Sequence, residues 1–84
     1  MPTRRLTLFG RAECHLCQDM AATLDDLKHS LDFDYEIIDV DGDAALAERY
    51  GALVPVLILG ERTICHYFLD LAALERALEA APEA

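Results

Sequence analysis

Two thiols three positions apart, Cys14 and Cys17, stand between a short apolar run and a segment of helical period, and this placement restricts the chain more than any other feature. Ahead of them, Arg5-Leu6-Thr7-Leu8-Phe9 alternates Leu6 and Leu8 with Thr7 and stops at Gly10, the pattern of a buried strand closed by a turn. Behind them, Leu16, Met20, Leu24, Leu27 and Leu31 recur at steps of four, four, three and four. That is the apolar stripe of an amphipathic helix running from about Cys14 to Leu31. Strand, glycine-containing loop and helix together put Cys14 at the helix start and Cys17 one turn further in, with the two sulfurs in bonding reach.

The chemistry follows from that position. The unpaired amides of a first helical turn act as a partial positive charge and favour a thiolate at Cys14. An effect of roughly 0.5–2 kcal/mol lowers a thiol of reference pKa about 8.5 by about 0.4–1.5 units, toward neutrality. Arg11 adds attraction, as does His15 when protonated, while Glu13 and Asp19 oppose them. Read this way, Cys14 attacks a disulfide and Cys17 resolves the mixed disulfide that forms. The alternative is a pair of small buried thiols that serve only as core filler.

Eighty-four residues suffice for one domain, 1–84, with little stability to spare. Sixteen acidic against seven basic residues give a formal charge of -9, which repels phosphate backbones and anionic lipid, so neither nucleic acid nor a membrane surface is an expected partner. The start Met1-Pro2-Thr3-Arg4-Arg5 is basic, but the apolar run behind it is too short for a signal peptide or a membrane span. A cytosolic location is expected by default, and there paired cysteines are more often catalytic or metal-binding than structural.

The rest of the chain alternates strand and helix signals. Phe33 to Val40 reads as a strand, parallel to the first through a right-handed crossover. Asp39-Val40-Asp41-Gly42-Asp43 has the look of a calcium loop but lacks the downstream Glu, and a turn at Gly42 followed by Asp43 capping a helix Ala44 to Tyr50, closed by Gly51, accounts for it better. Pro55 cannot donate to a sheet ladder and is expected at the first position of a strand running to Leu59. Gly60-Glu61 then makes a two-residue hairpin turn into Arg62-Thr63-Ile64-Cys65. Leu71, Leu74, Ala77 and Leu78 give a last helix, capped by Asp70 and followed by Pro82.

This order of strand, helix, strand, helix, strand, strand, helix, with Cys14-His15-Leu16-Cys17 at the first junction and Val54-Pro55 opening the third strand, resembles the glutaredoxin branch of the thioredoxin fold, and most of all the small bacterial glutaredoxin-like proteins. The resemblance implies an α/β domain with a four-stranded mixed sheet flanked by helices, acting as a thiol-disulfide oxidoreductase. Cys14 matches the family's nucleophile and Cys17 its resolving thiol. Pro55 matches the family's cis proline, which leaves the backbone of Val54 free to pair with a thiol substrate, and Arg11 falls where a basic residue often meets a carboxylate of glutathione. Between the cysteines stand His15 and Leu16 where many glutaredoxins have Pro and Tyr, and a cationic His15 there favours a more oxidising disulfide. After the fourth strand, Cys65-His66-Tyr67-Phe68-Leu69-Asp70 replaces the paired glycines and acid that often hold glutathione. Glutathione, as reductant or co-substrate, and protein or small-molecule disulfides served by a thioredoxin reductase system therefore both stand as expected partners.

Two other classes stay open at this point. Cys14 and Cys17 with Cys65 or His66 offer soft ligands for zinc or an iron–sulfur cluster, although a closed site takes four protein ligands and the strand reading gives Cys65 no reason to face the first helix. A non-catalytic interaction or redox-sensing module on the same fold is the other. No bound cofactor or metal is expected in the oxidoreductase.

Overall fold

The computed structural model describes residues 4–80. Its elements run β1 (Arg5–Gly10), α1 (His15–Leu31), β2 (Asp34–Asp39), a single 3-10 turn (Val40–Gly42), α2 (Ala44–Tyr50), β3 (Val56–Leu59), β4 (Arg62–His66) and α3 (Leu71–Ala80). Pro82 and the residues Met1 to Thr3 of the basic start lie outside the described residues. The sheet order is β2-β1-β3-β4, so β1 and β3 are central. β1 pairs with β2 in parallel, from Arg5 opposite Asp34 to Gly10 opposite Asp39, as the crossover requires. β3 runs antiparallel to both β1 and β4, and Leu59 faces Arg62 across the two-residue turn. The α/β class, the element order and the mixed four-stranded sheet are those expected from the sequence.

Alternation along β1 divides the core in two. Leu6 and Leu8 point to one face, where they meet Met20 and Leu24 of α1, Leu57 of β3, and Leu74 and Leu78 of α3. Phe9 points to the other, against Val40 and Val56, with Leu46 and Tyr50 of α2 packed at its margin. Two helices therefore cover one face of the sheet and the short α2 the other. Period two in the strand and the stripe in the helices are the same fact seen from two elements.

The helix ends show how local chemistry sets these boundaries. Asp43 caps α2 by accepting from the N–H of Ala45 (2.9 Å) and of Leu46 (3.3 Å), and Asp70 accepts from the N–H of Ala73 (3.0 Å). α1 stops at Asp32, whose left-handed backbone (φ 57°, ψ 61°) turns its N–H onto the carbonyl of Lys28. Gly51 does not end α2 in that manner: its backbone stays right-handed (φ -57°, ψ -32°), and the glycine serves a close approach described below. The second strand is also shorter than expected, because Phe33 is drawn into the core (8% exposed) and Val40 is buried in the 3-10 turn.

Candidate active site

At the end of β1 the chain leaves the sheet at Gly10 and turns so that the N–H of Cys14 donates to the carbonyl of Arg11 (3.2 Å). Cys14 is the N-cap of α1, with extended backbone (φ -98°, ψ 112°), and its Sγ accepts from the N–H of Cys17 at 3.1 Å. A cysteine thus occupies the position where an oxygen side chain usually satisfies the orphan amides of a helix start. The sulfurs of Cys14 and Cys17 form a disulfide, with the two Cα atoms 5.1 Å apart. Cys14 is half-buried and reachable from solvent, whereas Cys17 is only 6% exposed. Gly10 allows this packing: a Cβ there would lie 3.1 Å from both the Cβ and the Sγ of Cys17.

A groove of about 470 Å³ beside the cap is lined by Arg11, Ala12, Glu13, Cys14 and Asp41. The Nε of Arg11 lies 3.4 Å from Oδ1 of Asp41, an acid that sequence reasoning assigned only to a turn. Gly51 makes room for the same guanidinium, since a Cβ on it would come within 2.6 Å of Arg11 Nη2. The cation expected to meet a substrate carboxylate is therefore held in place by Asp41 and shares the groove with Glu13. His15 is 85% exposed and pairs with Asp19, one turn on, at 3.5 Å. Both basic groups near Cys14 thus have carboxylate partners within this chain.

The register brings the proline to the same end of the sheet. Phe9 faces Val56, which sets Pro55 against Gly10, the residue touching Cys17. The Val54-Pro55 peptide is cis, and Pro55 is fully buried just before the first residue of β3. Among the described residues, neither the N–H nor the carbonyl of Val54 pairs with another backbone group. The carbonyl of Pro55 accepts from the N–H of Tyr67 (2.9 Å), and the Tyr67 hydroxyl donates to the carbonyl of Ala52 (2.9 Å). Tyr67 thus ties the proline loop at two points, Ala52 and Pro55. Tyr67 does so from the left-handed region (φ 65°), unusual for a bulky residue, and leaves Phe68 69% exposed. Sequence reasoning marked this segment as different but gave it no role. The available signal was two adjacent aromatics, Tyr67 and Phe68, in the connection between β4 and α3.

Cys65 sits on β4, half-buried against the main core, and burial pushes its thiol pKa up. It is less enclosed than a fully buried strand residue. Among the described residues, no three His, Cys, Asp or Glu side chains are grouped so as to hold a metal ion, and no helix is long and apolar enough to cross a membrane.

Comparison with known proteins agrees with this fold. The solution structure of protein Ne2328 from Nitrosomonas europaea is 39% identical over 92% of both chains, with a TM-score of 0.80. The X-ray structure of protein XcR50 from X. campestris is 34% identical, covers 92% of this chain and 99% of its own, and has a TM-score of 0.72. Thioredoxin 1 from Thermosipho africanus, at 23% identity over 89% of this chain and 94% of its own, shares the fold with a TM-score of 0.61. Among curated proteins, none matches this chain. The family model described as "Glutaredoxin-like domain (DUF836)" matches residues 5–79, nearly the whole chain, and the protein belongs to that family.

Proposed function

We propose that the protein is a thiol-disulfide oxidoreductase working through Cys14 and Cys17 without a bound prosthetic group. The observation that carries this reading is a partly exposed cysteine that lines a groove at a helix N-cap, joined to a buried cysteine one turn behind. In the reduced protein, the helix start favours the thiolate of Cys14. That thiolate attacks one sulfur of a substrate disulfide, forming a mixed disulfide and releasing the other substrate sulfur as a thiolate that takes up a proton. Cys17 then loses its proton and attacks Sγ of Cys14, releasing the second substrate thiol and leaving the Cys14–Cys17 disulfide. Two electrons pass from the dithiol to the substrate. A thiol reductant, either glutathione or a thioredoxin reductase system, restores the dithiol, which suits the cytosol. The open backbone groups of Val54 supply a pairing edge for the substrate's peptide groups, and Arg11 and His15 flank the entry.

The deciding experiment supplies the oxidised protein with glutathione plus its reductase, or with thioredoxin and its reductase, and follows reduction of a protein disulfide. Turnover with either system is expected and identifies the donor. No turnover with both would leave a redox-sensing or interaction module instead. Replacing Cys17 by Ser should trap a mixed disulfide on Cys14, visible by mass spectrometry.

A further inference from the structure

Resting on the exchange chemistry above, a second feature narrows the substrate. Leu16, Asp19, Met20 and Thr23 of α1 face Tyr67 and Phe68 across a groove of about 150 Å³. Leu16, which lines the groove, stands between the two active cysteines in the first turn of α1, so the groove opens beside the turn that carries them. Apart from Thr23 and Asp19 its walls are apolar or aromatic, and the one charged group lining it is the Asp19 carboxylate. Phe68 and Tyr67 stand 69% and 40% exposed, held out by a backbone that Tyr67 keeps left-handed through its bonds to Pro55 and Ala52. Strain of this kind survives only where surrounding contacts enforce it.

The charges at the groove and on the neighbouring side of Cys14 select an occupant. Asp19 lines the groove itself and pairs with His15, while on the Cys14 side Arg11 is already paired with Asp41 and Glu13 has no basic partner among the described residues. The chain as a whole carries -9. An anionic tripeptide meets the Asp19 carboxylate here, and a cationic segment meets complementary charge. We infer that the groove between α1 and the β4–α3 connection receives a lysine or arginine side chain adjacent to the cysteine of a polypeptide disulfide. The aliphatic stem lies along Leu16, Met20 and the face of Phe68, and the cationic head displaces His15 from Asp19.

The test uses the full chain, pre-reduced, in single turnover, so that no electron donor enters. Two short peptides of equal length each carry one cysteine in a mixed disulfide with 2-mercaptoethanol, one flanked by Lys and the other by Glu. The Lys peptide is expected to react about five- to tenfold faster at low salt, the size of one exposed ion pair plus one cation–π contact, and the ratio should shrink as salt is added. Asp19→Asn and Phe68→Ser, both at exposed positions, should each cut the ratio at least twofold. Asp26→Asn, which removes the same charge from another part of α1, should leave the ratio where it is. A wild-type ratio near one, a ratio untouched by both groove variants, or an equal loss in Asp26→Asn would overturn the groove assignment. A neutral small disulfide run in parallel separates the two readings: if it too goes unreduced, the exchange chemistry itself is wrong and the groove assignment falls with it.

Discussion

A thiol at the N-cap of α1 and a thiol midway along β4 experience opposite surroundings within one small chain. Cys14 accepts a backbone N–H at the positive end of a 17-residue helix, while Cys65 is half-buried beside core side chains and its ionisation is opposed by desolvation. In the reduced protein, iodoacetamide should therefore modify Cys14 with a pH midpoint below the free-thiol value of about 8.5, and Cys65 only above it. Peptide mapping across a pH series measures both, and a Cys14 midpoint at or above that of an ordinary thiol would remove the activation argument. Gly10 is the other residue on which the site depends. Gly10→Ala places a methyl group 3.1 Å from Cys17 Cβ and Sγ, and since β1 is a central strand, the start of α1 must shift. An overpacking cost of about 1–3 kcal/mol is expected in urea unfolding of the oxidised form.

Between elements, several of the contacts that the sequence does not announce are made by charged groups. Arg4, expected only as part of a basic start, is 17% exposed at its side chain and spans the ends of two helices. It donates to the carbonyl of Leu78 in α3 (3.1 Å) and to those of Leu31 (3.2 Å) and Asp32 (3.1 Å) at the end of α1. A cation at two helix C-termini satisfies carbonyls that have no partner within their helices. Arg4→Met keeps the stem but orphans these acceptors, so a loss of about 2–3 kcal/mol is expected, roughly 10–20 °C in Tm, with Arg4→Lys intermediate because it keeps the charge without the fork. A second link joins α1 to β2: Lys28 hydrogen-bonds Asp25 at 3.1 Å, and the Tyr35 hydroxyl donates to the same carboxylate. Lys28, by that bond and by its charge, lowers the pKa of Asp25 from the ordinary carboxylate value. With the folded-state value depressed, the stabilisation is present above the unfolded carboxylate value near 4 and is lost as pH falls through the folded one. Asp25→Asn should therefore differ from the native protein in thermal unfolding at pH 7 and converge with it in strong acid. Because the pair is exposed, the difference at pH 7 should be small.

At the scale of the molecule, what could be read in advance was what repeats along the chain. Leu6 and Leu8 announce a strand face, Met20 and Leu24 a helix stripe, and Asp43, Gly60 and Asp70 the punctuation between elements, because each acts through its immediate neighbours. The two cysteines were legible for the same reason, since one helical turn fixes their separation. Contacts between distant segments were not legible: Asp41 on Arg11, Gly51 beneath that guanidinium, and Tyr67 across the proline loop join segments 15 to 40 or so positions apart with no periodicity to mark them. The -9 charge belongs to this scale as well. Self-repulsion opposes the folded state at low ionic strength, so raising NaCl from near zero to about 0.3 M should lift Tm by roughly 2–5 °C, measured by calorimetry on the oxidised protein. A fall in Tm would mean that local ion pairs outweigh the overall repulsion.

Among the described residues, the sheet order leaves two strands with free borders, β2 and β4. Asp34 and Glu36 stand at alternate positions on β2, and β4 departs from regular register opposite Leu57 and Ile58. An incoming strand would have to dock against carboxylates on one side or a kinked ladder on the other, so the fold carries its own guard against lateral stacking into fibres.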